Sequence, residues 1–374
     1  MNKNGKRKEV KPISLTDFML RVIGDLNAEE RFSTAHVYFY ALQAFKQFVG
    51  GGEIFFGAIN RYSLKRFEKY LADKQKKWNT ISTYERALRS VYHRAVDAEV
   101  ITGEYRLFSG VYTGTKVERK RALQDEEMRL LLMDEELCKP RRDTQDKDQT
   151  KAKAQTEAVT QTKVNAQTKA KATAEVLPQG VSEKALPREL CQARDLLSLM
   201  FRLQGMPLVD LLHLHRNDLH SDTTGRTMIT CHRQKTGIEL RITVTAETMT
   251  LLNRYRSADP DSPYLLCFFD GINGAKAIYQ EYCRQLRLLN NRLVHLAAFR
   301  GLKDTRVSSY TARHTWATTA KFCMVPESVI SEGLGHSSLE VTRTYMKSFE
   351  CEELDRANSI VMARVLYGDS NYWK

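Results

Sequence analysis

At 374 residues, 42% of them hydrophobic, the chain is long enough for two domains and apolar enough for at least one substantial core, which excludes global disorder. Its formal net charge of +13 favours a polyanionic partner, either nucleic acid or an anionic membrane surface. No apolar run approaches the ~18–20 residues that cross a bilayer, and no long apolar stretch follows the basic N-terminus. A membrane span and a secretory signal are therefore set aside, and nucleic acid is the preferred partner.

Residues 1–13 carry Lys3, Lys6, Arg7, Lys8 and Lys11 and read as a flexible basic arm. Residues 14–108 read as a helical domain. Val37, Tyr40, Ala41, Ala44, Phe45 and Phe48 recur at helical spacing until Gly50, Gly51 and Gly52 stop the run. Leu64, Phe67, Tyr70 and Leu71 repeat the pattern. Beyond a basic run that includes Lys76 and Lys77, a further segment has an apolar stripe of Ile81, Tyr84, Leu88, Val91, Tyr92 and Ala95. Thr83, Arg86, Arg89 and Arg94 lie mostly off that stripe. Such a helix packs inward on one face and presents hydroxyl and guanidinium groups on the other. That second face is either an ordinary solvated surface or one that meets phosphates.

Residues 109–122, with two glycines and four basic residues, read as an interdomain linker able to lie along a polyanion. A second domain, 123–367, opens with helix signals from Leu123 to Leu137. A low-complexity insert at 139–187 interrupts it. The insert holds four hexapeptides that begin at Gln149, Gln155, Gln161 and Gln167. None has a large apolar residue to stack, so a disordered or transiently helical extension without chemistry is expected. Residues 368–374 form a tail.

From 189 the pattern is mixed but mainly helical. Ala193 to Leu203 reads as a buried helix, and the β-branched runs around Lys235, Thr236 and Gly237 read as a β-hairpin. Helices are expected near 245–256, 273–298, 308–323 and 326–333, the last opening at Pro326 and closing at Gly333. Ser337 and Glu340 have capping-box spacing and would start a helix that carries Tyr345 two turns in. A final helix would carry Leu354, Ala357, Val361 and Val365. The fold class expected is mainly α with a small β-sheet or hairpin. The seven cysteines (138, 191, 231, 267, 283, 323 and 351) include no CxxC pair and are odd in number. That argues against a disulfide framework or a structural zinc site and for idle thiols in a reducing cytoplasm.

Tyr310-Thr311-Ala312-Arg313-His314 is followed by Leu334-Gly335-His336 and then by Thr342-Arg343-Thr344-Tyr345. His336 follows Arg313 by 23 residues, and Tyr345 follows His336 by nine. Singly, each has an ordinary reading: Arg313 a surface ion-pair residue, His336 a helix-start hydrogen-bonder, Tyr345 one of 16 tyrosines. Together they supply what metal-free cleavage of a phosphodiester requires: a nucleophile, cations on the non-bridging oxygens and a proton for the leaving oxygen. The stretch resembles the catalytic box of the tyrosine recombinases (phage-integrase family), in which a tyrosine hydroxyl cuts DNA and keeps the 3′-phosphate.

The resemblance implies a helical core-binding (SAM-like) domain at 14–108 and a mixed α/β catalytic domain, forming a C-shaped clamp on duplex DNA. It makes Tyr345 the nucleophile and Arg313 the phosphate holder. His336 would donate to the same phosphate or help deprotonate Tyr345, and Lys235 would be the general acid. DNA contacts would come from Lys76, Lys77, Thr83, Arg86, Arg89 and Arg233. No metal, cofactor or ATP is implied. The partners implied are double-stranded recombination sites, a homo-oligomer of four protomers with the C-terminal helix docked on a neighbour, and accessory DNA-bending proteins. A type IB topoisomerase shares the nucleophile chemistry and is the enzymatic alternative.

The chain departs from the family pattern at two places. Tyr310 stands where the family commonly has histidine, and Pro207 where it has its first arginine; Asp210 matches the acidic position of that turn. The turn 204–210, the stretch from Arg233 to Gly237 and the stretch from Ser328 to His336 are similar to a Bacteroides-type subgroup of mobile-element integrases and invertases. Even there an arginine precedes the glycine, where this chain has Gln204. Either Arg202, Arg233 or Arg241 supplies the missing charge, or the chain is a weakened paralogue that binds recombination sites without cutting. His314 is expected to support its helix and Trp316 to be core. No long segment precedes residue 14, which favours an invertase or simple transposon integrase over an enzyme with a separate arm-site domain.

Overall fold

The computed structural model describes residues 14–116, 121–133, 186–302, 305–349, 355, 357–362 and 365. The basic arm, most of the insert and Leu354 lie outside the described residues. The chain divides into two compact units: residues 1–119 with 272–281, and residues 120–271 with 282–374.

The first unit is built on four helices: α1 (Leu15–Ala28), α2 (Phe32–Phe48), α3 (Arg61–Asp73) and α4 (Trp78–Asp97). Ser14 caps α1 by accepting the amide of Asp17 at 3.2 Å, and Asn60 with Ser63 forms a capping box on α3. The α1 stripe of Leu15, Phe18, Met19, Val22, Ile23 and Leu26 packs on α2 and α4. On α2 the core face is Ala35, Tyr38, Ala41, Leu42 and Phe45, with Val37, Ala44 and Phe48 at its margin. Tyr40, expected on that face, is exposed; the stripe centres on 38, 41/42 and 45, which turns residue 40 outward beside His36. On α4 the expected stripe is buried apart from half-buried Tyr84.

Two features of this unit were not expected. Residues 110–116, part of the stretch 109–122 read as an interdomain linker able to lie along a polyanion, are fastened to α3 and α4. Asn79 bonds both backbone groups of Lys116 at 2.8 and 3.0 Å, Ser82 donates to Gly114 O at 2.6 Å, and the amide of Tyr112 donates to Glu68 at 2.5 Å. Glu85 is fully buried with no hydrogen-bond partner on either carboxylate oxygen. Its pKa is pushed up to about 8, first by loss of solvation and then by neighbouring Glu68, with Lys65 opposing.

The second unit contains α5 (Asp125–Leu132), α6 (Arg188–Arg202), α7 (Leu208–Leu212), β1 (Leu219–Ser221), β2 (Thr227–His232), β3 (Glu239–Thr243), α8 (Ala246–Arg254), α9 (Ala275–Phe299), α10 (Ser309–Phe322), α11 (Glu327–Gly333) and α12 (Leu339–Arg343). Residues 275–281 of α9 belong to the other unit. The strands form one antiparallel sheet in the order β1-β2-β3, with Leu219 opposite Ile229 and Cys231 opposite Leu240. The hairpin matches the sequence reading; β1, only three residues long, gave no signal. In β2, period two buries Ile229 and Cys231, and continuing it through Arg233 buries that side chain too, at 8% exposure. Buried α6 packs against α10, which brings the Gln204–Pro207 turn alongside Arg313.

Two expected helix details shift. The cap of α12 is Ser338, which accepts the amide of Val341, one residue later than the Ser337/Glu340 pair. α12 then ends at Arg343, and Tyr345 lies in the following turn, its amide bonded to Thr342 O at 3.0 Å, not inside a helix. Residues 357–362 are helical, with Val361 58% and Met362 47% exposed. No helix among the described residues is long and apolar enough to cross a membrane.

Candidate active site

Arg313 is the centre of the site. It lies on the second turn of α10 and is 2% exposed, the bulkiest of the fully buried side chains. Its guanidinium donates to Gly205 O at 3.0 Å and Leu334 O at 2.6 Å, and meets His336 Nε2 at 2.7 Å. Its Nε has no hydrogen-bond partner. Burial first and the neighbouring Arg233 second lower its pKa to about 10, so it stays charged at neutral pH. The surface ion-pair reading of Arg313 is therefore wrong: the partners it holds are neutral.

Two glycines make this burial possible. Gly205 has φ +68°, and a Cβ there would stand 2.9 Å from the Arg313 backbone. Gly335, at φ +62°, would carry a Cβ 2.9 Å from Leu240 and 3.0 Å from the Arg233 stem.

Arg233 is the second buried cation. Its Nε lies 2.6 Å from Asp210 Oδ2, and its Nη1 donates to Leu334 O, the same carbonyl that Arg313 uses. Asp210 Oδ1 accepts the amide of Gln234 at 2.9 Å, which fixes the start of the hairpin turn. Arg241 is on the outward face of β3, paired with Glu239 at 2.7 Å, and Arg202 bonds Ser198 at 3.2 Å. Of the three arginines considered for the missing charge, Arg233 is the one brought to Arg313. Gln204, at φ +57°, points away from the guanidinium toward Gly333. It lines a cleft of about 480 Å³ with Trp316, Val329, Glu239 and Glu332. Trp316 is thus a cleft wall, half-buried, and not full core.

Tyr345 is half-buried between two imidazoles. His336 stacks on its ring at 5.0 Å and 24°, His314 lies at 4.8 Å, and Arg313 Cζ is 5.2 Å from the ring centroid. His314 Nδ1 also donates to Tyr345 O at 3.0 Å, so His314 holds the tyrosine turn rather than its own helix. His336 Nδ1 bonds Thr342 Oγ1 at 2.8 Å. Burial, then Arg313, Arg233 and Lys235, lower the His336 pKa to about 3. The ring is neutral, and Nε2, facing an N–H of Arg313, is an acceptor in this arrangement. A donor role toward phosphate would require Arg313 to release it.

Tyr310, half-exposed, has its proton affinity raised by burial and by Tyr345, and lowered by Arg313, Arg233 and Arg121. Lys235 is exposed at the hairpin tip, close enough for its charge to act on His336. Arg313, His336, Tyr345, Tyr310, Arg233 and Lys235 therefore share one region. In the other unit, Lys76, Lys77 and Arg86 are exposed and Arg89 is half-buried. Thr83 is half-buried as well, its hydroxyl donating to Asn79 O at 2.6 Å, which leaves it only as an acceptor.

Residues 14–108 match the phage integrase SAM-like domain family. No curated protein matches the chain. Among solved structures, it is similar to the XerH site-specific recombinase bound to its difH substrate before cleavage (17% identity, 87% of this chain and 79% of that one, TM-score 0.53). It is also similar to the Tn1549 transposon integrase in complex with transposon right-end DNA (11% identity, 95% and 100%, TM-score 0.55). A third likeness is to a lambda integrase dimer bound to a COC′ core site (13% identity, 91% and 81%, TM-score 0.52). The fold is that of the tyrosine recombinases, a helical core-binding domain joined to a mixed catalytic domain with a small antiparallel sheet.

Proposed function

We propose that this chain is a site-specific DNA recombinase that cuts and rejoins strands through a 3′-phosphotyrosine. One observation carries the reading: a buried, permanently charged guanidinium has only neutral partners and lies against a tyrosine in a recombinase fold. Among the described residues at the site, Arg313, Arg233 and Lys235 face a single carboxylate, Asp210, so the cluster is left with an excess of positive charge that an anion would balance.

Tyr345 Oη attacks the phosphorus in line with the bond to the 5′-oxygen. The phenolic proton passes to Nε2 of His336 once Arg313 has turned from that nitrogen to the phosphate, whose negative charge offsets the cations that hold the imidazole neutral, and Lys235 protonates the 5′-oxygen as it leaves. Arg313 and Arg233 hold the non-bridging oxygens through planar forks. A 5′-hydroxyl from the partner duplex then attacks the phosphotyrosine, expelling Tyr345 Oη and regenerating the diester without ATP. Tyr310 donates to a phosphate oxygen in the place the family gives to histidine. Arg233, reaching the site from the sheet, takes the place of the arginine lost at Pro207, which counts against a paralogue that binds without cutting.

The core-binding unit would hold the duplex through Lys76, Lys77, Arg86 and Arg89. Four protomers on two duplexes are the expected assembly; lambda integrase is seen as a tetramer bound to a Holliday junction. The Gly205 turn and Tyr310 further support a Bacteroides-type mobile-element integrase or invertase acting on DNA in the cytoplasm.

The test is a nicked suicide duplex from the DNA flanking the gene, incubated without added metal with wild type or Tyr345→Phe. Wild type should give a covalent protein–DNA adduct that resists denaturant, and the variant should bind the same DNA and give none. Specific binding without adduct from either protein would sink the cutting reading.

A further inference from the structure

Beyond the box residues, the site is approached by a cation on the segment that leads into the catalytic unit. Residues 121–124 run alongside α10 and are pinned there. Ala122 and Leu123 are buried, the Leu123 amide donates to Thr315 Oγ1 at 3.1 Å, and Thr319 donates to Asp125 at 3.1 Å. The segment descends α10 toward its N-terminus: Asp125 beside Thr319, Leu123 beside Thr315, Arg121 beside Ser308. Gln124 and Glu127 close a capping box on α5, and Glu127 accepts from Thr305 at 2.9 Å, which fixes the other end of the segment. The backbone and apolar contacts of its neighbours thus bring Arg121 to the start of α10.

The place is the first turn of α10. Half-buried Arg121 donates through Nη1 to the hydroxyl of Ser308, the cap residue, at 3.4 Å, a long bond for a charged donor. Ser308 precedes Tyr310 by two residues and Arg313 by five. The Tyr310 hydroxyl feels three guanidiniums, those of Arg313, Arg233 and Arg121. Arg313 has both terminal nitrogens committed to carbonyls and an imidazole, and Arg233 is neutralised by Asp210. A phosphorane with two charged equatorial oxygens has more acceptor capacity than these two forks present.

We propose that Arg121 is a third arginine of the phosphate site and holds a non-bridging oxygen of the scissile phosphate from the α10 N-terminal side. This rests on the recombinase reading above.

The test uses the full chain on the nicked suicide duplex. Arg121→Ala and Arg121→Lys are compared with wild type for the single-turnover rate of adduct formation at saturating protein and for the dissociation constant on uncut duplex. Arg121→Ala should slow adduct formation by about 10- to 100-fold, less than the ~10²–10³ of a fully organised oxyanion donor, with the dissociation constant within about threefold. Arg121→Lys should recover part of the rate, and added methylguanidinium should rescue Arg121→Ala. Wild-type rates in Arg121→Ala overturn the proposal. So does a loss confined to the dissociation constant, which puts Arg121 on a distant backbone phosphate. A slow rate that neither lysine nor methylguanidinium restores makes Arg121 scaffold only. Absence of adduct from wild type defeats the recombinase reading itself, and this proposal with it.

Discussion

Each unit of this chain buries charge, and the two solve the problem in opposite ways. In the helical unit, Glu85 is enclosed beside Glu68 with no donor on its carboxyl, and its pKa moves up to about 8, so near neutrality it holds a proton and discharges itself. In the second unit, Arg313 is enclosed beside Arg233 and its pKa falls only to about 10. It therefore keeps its charge. The difference teaches which buried ionisable groups point to a ligand. A carboxyl can escape desolvation by taking up a proton, whereas a guanidinium cannot escape at any pH the fold survives. The field of Arg313 persists, and an anion from outside is what would balance it.

The sharpest way to break that comparison is to change the fork while keeping the charge. Arg313→Lys should slow adduct formation by roughly 10²–10³, with DNA affinity nearly unchanged, because the lost bidentate grip matters most as charge develops on the phosphate. Rapid-quench single-turnover kinetics read this directly, and a rate near wild type would mean Arg313 is scaffold. Arg233 comes next. Arg233→Ala leaves Asp210 buried and unpaired, a loss of about 3–5 kcal/mol in stability by analogy with broken buried pairs. The double variant Arg233→Ala/Asp210→Asn should regain melting temperature yet remain slow in adduct formation by about 10–10². If rate returns with stability, Arg233 only pairs Asp210 and does not replace the arginine missing at Pro207.

That Arg313, His336 and Tyr345 would meet was legible from residue types at fixed spacing, and the helices and hairpin because periodicity reports burial. Arg233 was read both as a DNA contact and as one of three candidates for the missing charge; the alternation of Ile229 and Cys231, which turns it inward, could have singled it out. The stacking of Tyr345 between His314 and His336 depends on where α12 ends, and a cap shifted by one residue is below what a capping pattern resolves. Glu85 and the fastening of residues 110–116 were hidden for another reason. Both depend on contacts between segments far apart in sequence, and composition alone marks glycine-rich basic stretches as free.

The proton on Glu85 gives a prediction in pH. Its folded pKa of about 8 exceeds its ordinary value of 4.5, so the folded state binds the extra proton between those values. The stability tied to this group is full below about 4.5 and is lost as pH rises to about 8, the opposite of a salt-bridged carboxylate. Glu85→Gln keeps the shape without the titration. It should remove that slope and, near pH 8, raise stability by on the order of 3 kcal/mol. Chemical denaturation of the full chain between pH 5 and 9, followed by a probe in the helical unit, tests this; parallel curves for the two proteins would show that Glu85 finds a partner.

The smallest expected effect separates a sequence argument from a structural one. An arginine before Gly205 is the pattern from which Gln204 departs, and the missing cation invites the idea that restoring it would raise activity. Position 204 faces the cleft between Glu239 and Glu332, away from Arg313. Gln204→Arg should therefore leave the adduct rate within about threefold and change stability by no more than about 0.5–1 kcal/mol, through an exposed pair with Glu332. A gain of about tenfold or more in rate would mean that side chain 204 reaches the phosphate when DNA is bound, a movement of roughly 1.4 kcal/mol in the barrier. In that case the vacancy at Pro207 would be filled from the turn, and the buried guanidinium of Arg233 would return to a purely structural part.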